Sequence, residues 1–460
     1  MDARIIDELR KVAGIDGVRI DDSARETASG DKWFARAVPE AVVFARSTAS
    51  VAGVMKIASR EKIPVTTRGA GYGYVGGCVP VCGGIVLSTE RMNRIKEVNA
   101  EDFVAVVEPG VITGQLQDAA RRKGLFYPPD PASLKDCSIG GNIATNAGGP
   151  RCLKYGVTRN YVLGLEVVLA DGTVARIGGR THKNKTGFDL VGLFTGSEGM
   201  LGIVTEATLR LLPLPPARAV LSASFADAAR AAAAVQSVLS RGYLPCALEV
   251  ADRFTLEAAR SHAGADGVIP PGDAHLLMEI DGQKESVVGE SAALVMLLRD
   301  AGALAVETAT SEEGCTRLWN LRRGFSEALK ATGLRKLNED IVVPRGKLVE
   351  LFEFGAQLSR DFNVPVASFG HAGDGNIHVN LMVENPDDPA VKERMENALD
   401  ALFSGVLAMG GSITGEHGVG LAKKRWWPQA VDAGSDDLHR SIKRALDPDD
   451  LLNPGKFLEK

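Results

Sequence analysis

The chain has 460 residues, of which 45% are hydrophobic and 24% charged, as in ordinary soluble globular proteins. The length favours two or three domains, and the net charge of −5 argues against nucleic acid as a partner. Six scattered cysteines without a Cys-x-x-Cys pair predict reduced thiols and no iron–sulfur cluster. The acidic start lacks the apolar run of a signal peptide, and no stretch reaches the roughly 20 apolar residues of a membrane span. We therefore expect a cytoplasmic protein, or one held at the inner face of the membrane by a partner.

The first half of the chain alternates predicted strands and helices up to a proline-rich segment at residues 211–220, which we take as a domain boundary. A hairpin is predicted to turn at Asp171-Gly172. The other predicted elements are strands over 41–46, 64–69, 85–89 and 103–108 and helices over 48–62 and 111–123.

The second half repeats the alternation, with a predicted hairpin between 365–369 and 377–383. This mixture predicts an α+β domain with antiparallel sheet. The remaining predicted elements are strands over 219–225, 275–281, 305–309 and 341–344 and helices over 226–240, 290–302, 312–333, 347–360 and 391–408.

Glycine is concentrated in residues 68–84 and 138–149. Clustered glycines let backbone amides approach the phosphates of a nucleotide, although tight turns alone are the simpler interpretation of either loop. Gly71, Gly73 and Gly76 match the dinucleotide pattern G-x-G-x-x-G, but that pattern should open a helix, and a strand-like segment follows here. We therefore reject a nicotinamide-type site. The second loop precedes a short predicted helix whose amides are available to an anion.

Two histidines flank the Asp374-Gly375 pair in the segment SFGHAGDGNIHVNL. Asp-Gly is a favoured two-residue hairpin turn, and such a turn would pair His371 directly with His378 on one face. Two adjacent imidazoles are typical of a metal site. Core histidines that bond to polar neighbours are the alternative.

Segments from both halves resemble one flavoprotein superfamily. The FAD-binding domain of the vanillyl-alcohol-oxidase-type flavoproteins is similar to PVTTRGAGYG, PPDPASLKDCSIGGNIATNAGGPRCLKYG, GLEVVLADGTV and GSEGMLGIVTEATLRLLP. The C-terminal domain of its D-2-hydroxyacid dehydrogenase branch is similar to GHAGDGNIHVNL, GSITGEHGVGLAKKRW and DPDDLLNPGKF. That branch includes D-lactate dehydrogenases, glycolate oxidase catalytic subunits and D-2-hydroxyglutarate dehydrogenases. The resemblance extends over roughly residues 38–460.

The resemblance implies an α+β fold with a two-part FAD-binding domain and a C-terminal α+β cap domain containing antiparallel sheet. The expected parts are an N-terminal helical arm over 1–34, the FAD-binding domain over 35–215, a substrate-binding cap with the metal site over 216–440, and a segment over 441–460 that returns to the FAD domain.

The implied cofactor is FAD held without a covalent link, because covalent members have a histidine where this chain has Tyr72. Most of the implied contacts lie in the two glycine loops, and the rest lie in short segments after them. They are Arg68, Gly69, Ala70, Gly71, Tyr72, Gly73, Pro129, Asp130, Ser133, Ser138, Gly141, Asn142, Thr145, Asn146, Gly148, Gly149, Tyr155, Gly156, Glu198, Gly199, Ile203 and Asn453.

The resemblance also supplies a third metal ligand, Glu416 in TGEHG, to accompany His371 and His378. Alone, this motif would be interpreted as a charged turn. Two imidazoles and one carboxylate suit a divalent transition metal with open positions. Zinc is the default, and manganese and iron are alternatives.

The expected chemistry is oxidation of a D-2-hydroxyacid, with hydride leaving Cα for the flavin N5. His417 would accept the hydroxyl proton. The same resemblance implies that Arg322 and Lys336 bind the substrate carboxylate, with Ser326 one turn beyond Arg322. Asn380, on the histidine face, is a further expected donor to the substrate.

D-lactate is the substrate that we favour, while glycolate and D-2-hydroxyglutarate stay open. No second redox centre is evident, so we expect a separate electron acceptor: an iron–sulfur protein, an electron-transferring flavoprotein, a cytochrome or a quinone. A homodimer is left open. The alternatives are a metallohydrolase, a non-catalytic FAD subunit and an oxidase that uses O₂.

Overall fold

The computed structural model of the chain describes residues 1–263 and 270–458. They form two compact units. The first contains Met1–Gly149, Gly156–Leu214 and Glu416–Lys460, and the second contains Pro150–Tyr155 and Pro215–Gly415. Helices and antiparallel sheets occur together, which confirms the predicted α+β class. No helix in the described ranges is long and apolar enough to cross a membrane.

The first unit contains three sheets. The four-stranded sheet has the order β1-β2-β4-β3, with β2, β3 and β4 parallel, and the others are antiparallel with the orders β5-β6-β10-β8-β9 and β11-β7. The strands are β1 Val18–Arg19, β2 Ala41–Phe44, β3 Val65–Arg68, β4 Ile85–Ser88, β5 Ile95–Asn99, β6 Val104–Val107, β7 Leu125–Phe126, β8 Val162–Val168, β9 Val174–Gly178, β10 Ile203–Arg210 and β11 Leu212–Pro213.

Helix α3 of the first unit, Thr48–Glu61, shows why the sequence folds locally as predicted. Ser47 and Ser50 form a capping box at its start, Val51, Val54 and Met55 are buried at helical spacing, and Lys62 ends it in the left-handed conformation. The helices are α1 Ala3–Ala13, α2 Asp22–Thr27, α3 Thr48–Glu61, α4 Thr113–Arg121, α5 Ile139–Thr145, α7 Leu190–Phe194, α14 Trp427–Ala430 and α15 Ala433–Leu446.

The second unit contains one antiparallel sheet of seven strands in the order β15-β12-β14-β13-β17-β18-β16. Its strands are β12 Ala217–Phe225, β13 Ala247–Ala251, β14 Ala274–Gly282, β15 Ala305–Ala309, β16 Arg335–Val342, β17 Val366–His371 and β18 Asn376–Val383. Its helices are α6 Cys152–Tyr155, α8 Ala228–Ser240, α9 Arg253–Ala263, α10 Lys284–Asp300, α11 Glu312–Ala331, α12 Leu348–Phe362 and α13 Pro389–Ala408.

Helices α9 and α11 pack on one face of the seven-stranded sheet. Ala251 and Phe369 of that face lie in one apolar cluster with residues of both helices. Helix α11 begins at its N-cap Ser311, and Leu318 and Phe325 are among its buried residues. Arg322 lies between them at helical spacing and therefore faces the sheet.

The limits of the two units differ from the expected domain limits. The long segment of the second unit begins at Pro215, one residue before the expected start of the cap domain. The chain rejoins the first unit at Glu416, earlier than the expected return at residue 441. The reason is that the amides of Leu421 and Ala422 donate to the Val75 carbonyl, which fixes this segment within the first unit. The short segment Pro150–Tyr155 was not expected to group with the cap.

Candidate active site

The turn between β17 and β18 differs from the predicted one. His371 lies opposite Asn376, and His378 lies opposite Phe369, so four residues rather than two connect the strands. A type I′ turn requires positive φ at both central residues. Only Gly375 of the Asp-Gly pair adopts it, at +89°. The amides of Asp374 and Gly375 both donate to the carbonyl of His371 instead, at 3.3 and 3.2 Å. The direct pairing of the two histidines was therefore wrong.

The two histidines nevertheless share one face of the sheet. His378 lies two residues beyond Asn376, the partner of His371, so the imidazoles meet diagonally. Their ring centroids are 5.6 Å apart and the ring planes are 79° from parallel. Both side chains are largely buried.

Glu416 completes the group of metal-binding side chains predicted from the sequence. Ligand atoms of His371, His378 and Glu416 all lie within 4.8 Å of one another. Chain geometry places Glu416, because the amide of the preceding Gly415 donates to Asp340 at 2.9 Å. Gly415 is required there, since a Cβ would lie 2.2 Å from the Asn376 amide.

This donor set fits a divalent metal. Nδ1 of His371 lies 2.6 Å from Oε1 of Glu249, so Nε2 is the ring nitrogen that would coordinate a metal. Metal-binding histidines commonly donate their other nitrogen to a carboxylate. Two imidazoles and a carboxylate suit zinc, manganese or iron.

Glu249 is a functional candidate that the sequence prediction missed. It lies on β13 opposite His371, is only 1% exposed, and accepts from Nε of Arg322 at 2.6 Å. Burial alone would raise the pKa of Glu249, but His371 and Arg322 outweigh it and lower the pKa to about 2. The sequence did contain an indication of this residue, because Glu249 is the single acidic residue in the otherwise apolar segment CALEVA.

The predicted carboxylate-binding residues lie on two elements of the second unit, Arg322 and Ser326 on α11 and Lys336 on β16. The guanidinium of Arg322 lies 4.8 Å from the ring centroid of Phe369, which is opposite His378. Lys336 donates to the hydroxyl of Ser326 at 2.8 Å. Burial, with the positive charges of Lys330 and Arg322, lowers the pKa of Lys336 to about 8. The two cations therefore lie close enough for the charge of Arg322 to affect the pKa of Lys336.

Asn380 lies on the predicted face, but its amide group is already engaged. Its nitrogen donates to the carbonyls of Ala367 and His378 at 2.8 and 3.1 Å, and the side chain is fully buried. Both amide hydrogens are therefore used within the sheet. Donation to a substrate would require the amide to flip, so this arrangement does not favour the predicted role.

His417 lies in the first unit, where its ring stacks on Tyr74 with centroids 5.1 Å apart. The segment that follows it is held by Glu198, whose carboxylate accepts the amides of Val419 and Gly420 at 2.7 and 2.9 Å. Burial raises the pKa of Glu198 despite these two hydrogen bonds. Tyr74 is a neighbour of the predicted base that sequence reasoning did not identify.

The first glycine loop directly follows β3 and meets the start of α5. The hydroxyl of Ser138, the N-cap of α5, accepts the amides of Ala70 and Gly141 at 3.2 and 3.4 Å. Gly69 is required at this contact, because a Cβ would lie 2.5 Å from that hydroxyl. Gly71 has φ of +72°, and a Cβ there would lie 2.1 Å from the Arg68 guanidinium.

The loop fits a bound phosphate group. In the described parts of the chain, no residue accepts a hydrogen bond from the amides of Gly69, Gly71 or Gly73. Backbone amides left available in a glycine loop can bind an anion. Buried oxygens of Thr67 and Asn453 likewise have no partner within those parts. The loop and the buried oxygens therefore suit a dinucleotide cofactor such as FAD.

Several predicted FAD contacts also make contacts within the protein. Asn142 donates to Thr113 at 2.6 Å, and the Asn453 amide donates to the carbonyls of Gly77 and Glu198, both at 2.8 Å. A Cβ on Gly149 would lie 2.6 Å from the Asp130 backbone.

Tyr155 groups with the second unit, where its hydroxyl donates to Asp281 at 2.8 Å. The Lys32 ammonium lies over the ring of Tyr72, 4.4 Å from the ring centroid. The other predicted contacts lie on the same loops or on the segments after them, at Pro129, Ser133, Thr145, Asn146, Gly148, Gly156, Gly199 and Ile203.

Comparison with known families identifies both units. Residues 39–178 match the family described as an FAD binding domain, and residues 214–457 match the C-terminal domain of FAD linked oxidases. Among solved structures, p-cresol methylhydroxylase matches with a TM-score of 0.79 at 20% identity, covering 99% of this chain and 96% of that one. Alkyldihydroxyacetonephosphate synthase matches with 0.77 at 19% identity, covering 99% and 85%. At these identities the likeness shows the fold alone.

Curated relatives are much closer in sequence. The glycolate oxidase subunit GlcD of Bacillus subtilis is 39% identical over 92% of this chain and 90% of its own length. The D-lactate dehydrogenase of Archaeoglobus fulgidus is 38% identical over 99% of each chain. The chain therefore belongs to the FAD-linked oxidase family, and it is an FAD-linked oxidoreductase of the D-lactate dehydrogenase and glycolate oxidase type.

Proposed function

We propose that this protein is an FAD- and metal-dependent dehydrogenase that oxidises a D-2-hydroxyacid, with D-lactate as the favoured substrate. The observation that carries the proposal lies in the second unit's sheet, where His371 and His378 share one face and the carboxylate of Glu249 links His371 to the cation Arg322. A 2-hydroxyacid combines an alcohol with a carboxylate, and this arrangement offers a partner for each.

Each residue has a proposed role. His371, His378 and Glu416 would hold the metal, which supplies a charge that lowers the pKa of an alcohol. FAD supplies the hydride acceptor. Arg322, fixed through its Nε, presents its remaining nitrogens to the carboxylate. His417 would accept the hydroxyl proton while its ring is held against Tyr74.

Lys336 bears on the identity of the substrate. Its ammonium lies beside Ser326 and could bind either the single carboxylate of D-lactate or the distal one of D-2-hydroxyglutarate. Glycolate would use the same cations as D-lactate. We favour D-lactate because two of the curated relatives are named D-lactate dehydrogenase and no further basic cluster was evident in the sequence.

The rival functions explain fewer observations. A metallohydrolase would use the histidines and Glu416 but leave the FAD-type first unit without a purpose. A non-catalytic FAD subunit would not require the metal-binding group to be intact, and all three side chains lie close together. We propose that electrons pass to a separate acceptor, which fits the fact that the glycolate oxidase relative is named as a subunit. We also propose that the protein works in the cytoplasm, or at the inner face of the membrane through a partner.

The first experiment is an anaerobic visible spectrum of the purified protein, titrated with D-lactate, L-lactate, glycolate and D-2-hydroxyglutarate before and after a chelator. We expect D-lactate to bleach the flavin band, with the effect lost on chelation and restored by zinc or manganese. Bleaching by another of these acids would reassign the substrate. A flavin that none of these acids bleaches would refute the proposed reaction. Bleaching that persists after chelation would refute the proposed dependence on a metal.

A further inference from the structure

The inference concerns Glu249, which bonds at once to a metal-ligand candidate and to a carboxylate-binding candidate. Oε1 lies 2.6 Å from Nδ1 of His371, and Oε2 lies 2.6 Å from Nε of Arg322. The glutamate is 1% exposed, so both bonds form away from water. Charge-assisted hydrogen bonds are strong, and both oxygens of this carboxylate are engaged in one.

We propose that Glu249 is a positioning residue that sets the His371 tautomer and the Arg322 orientation together, so that one carboxylate serves both metal binding and substrate binding. The inference rests on the proposed function of this site. Its geometric basis is the sheet register, which places Glu249 opposite His371 on the neighbouring strand.

The requirement for a carboxylate follows from donor and acceptor counting. Nε of Arg322 can only donate, and Nδ1 of His371 must donate if Nε2 is to bind a metal. Glu249 therefore has to accept two hydrogen bonds on two different oxygens. A glutamine has one accepting oxygen and one donating nitrogen, so it cannot replace both interactions.

Either orientation of a glutamine at this position disrupts one function. With its oxygen toward Arg322, its NH₂ faces Nδ1 of His371 and favours the tautomer that carries the proton on Nε2, which blocks the metal. With its oxygen toward His371, its NH₂ meets the Nε–H of Arg322 and displaces the guanidinium. A purely structural glutamate would show neither effect.

The chain offers a matched control in Glu279. It is also 1% exposed, lies on the adjacent strand β14, and accepts from Arg151, Arg218 and the Trp319 indole. It therefore resembles Glu249 in burial and in its arginine partners. Substituting it tests what the loss of a buried acid does to this sheet in general.

The experiment compares Glu249→Gln with Glu279→Gln. Metal affinity is measured by competition between a chelator and the metal-depleted protein for Zn²⁺ and Mn²⁺, and KM is measured with the hydroxyacid that bleaches the flavin. We expect Glu249→Gln to weaken metal binding or raise KM by roughly 10–100-fold, the usual range for residues that orient a ligand. We expect Glu279→Gln to change neither by more than about two-fold. If both quantities stay at wild-type values in Glu249→Gln, the inference is overturned.

A second measurement needs no variant of Glu249. In zinc-loaded wild-type protein labelled with ¹⁵N-histidine, we expect His371 to carry its proton on Nδ1 and the metal on Nε2. The opposite arrangement would overturn the inference even if Glu249→Gln does not fold. A wild-type protein that binds neither metal would instead refute the proposed metal site itself, so the two failures are distinguishable.

Discussion

His378 lies opposite Phe369 rather than opposite His371, and its ring reaches His371 diagonally with centroids 5.6 Å apart. The Phe369 ring lies 5.6 Å from that of His378 and 4.8 Å from the guanidinium of Arg322, so it contacts both. The apolar ring limits water near the cation, which strengthens its attraction for a carboxylate.

Removing His378 should separate metal binding from flavin binding. We expect His378→Ala to lose bound metal and at least about 100-fold of its turnover, since it removes a ligand rather than a residue that orients one. FAD content should be unchanged, because the glycine loops belong to the other unit. Metal analysis and the flavin absorbance of the purified variant measure both.

A matched control is His275→Ala, which removes another buried histidine of the same sheet, hydrogen-bonded to Ser222 at 2.8 Å. It should cost stability but retain metal. Equal metal content in wild-type and His378→Ala protein would contradict the assignment of His378 as a ligand.

Lys336 should make substrate affinity depend on pH. Its pKa is lowered to about 8, so its positive charge is present below pH 8 and is lost as the pH rises above it. The substrate carboxylate stays ionised throughout this range. We therefore expect KM to rise several-fold between about pH 7 and about pH 9.5.

Lys336→Arg provides the control for that profile, because arginine stays charged at these pH values. Its KM, whatever its absolute value, should be nearly flat over the same range. A flat wild-type profile, or a rise that persists in Lys336→Arg, would assign the pH dependence to another group.

Local patterns in the sequence predicted several elements of the fold, whereas most of the predicted site residues came from the family resemblance. The capping box at Ser47 and the helical spacing behind it act within a few residues, and the glycine loops carry their own conformational signal. The two histidines were predicted on one face of a hairpin, and they share a face, although through a different register. In each case the interactions that decide the structure are close in sequence.

The remaining features depend on long-range order. Glu249 and His371 are 122 residues apart, and only the order of strands in the sheet makes them neighbours. The hairpin register failed because Asp374 does not adopt the positive φ that a two-residue turn requires. The early return of the chain at Glu416 depends on hydrogen bonds to Val75, which no local pattern signals.

Gly71 should be essential for flavin binding. A Cβ at this position would lie 2.1 Å from the Arg68 guanidinium, and φ is +72°. We expect Gly71→Ala to displace either the loop or the Arg68 guanidinium, which donates to the Gly30 carbonyl, and to lose FAD, measured as the ratio of flavin to protein absorbance.

Gly124→Ala separates the clash from the backbone strain. Gly124 has φ of +70°, but a Cβ there would have none of the described neighbouring atoms within 4 Å. This variant should incur a similar strain of about 1–2 kcal/mol and still bind FAD. Comparable FAD loss in both variants would mean that the loss comes from destabilisation of the first unit in general and not from the contact with Arg68.

Glu198 should control the segment that carries His417. Its carboxylate accepts the amides of Val419 and Gly420, and a Cβ on Gly418 would lie 2.7 Å from it. Glu198→Gln presents an NH₂ group to one of these amides and removes a hydrogen bond worth about 1.5–3 kcal/mol. We expect kcat to fall at least roughly ten-fold as His417 loses its fixed position.

Glu108→Gln is the control for Glu198→Gln, since Glu108 is also buried and accepts the amide and guanidinium of Arg94. It should leave kcat nearly unchanged, and a similar loss in both variants would mean that Glu198 acts only through the stability of the first unit.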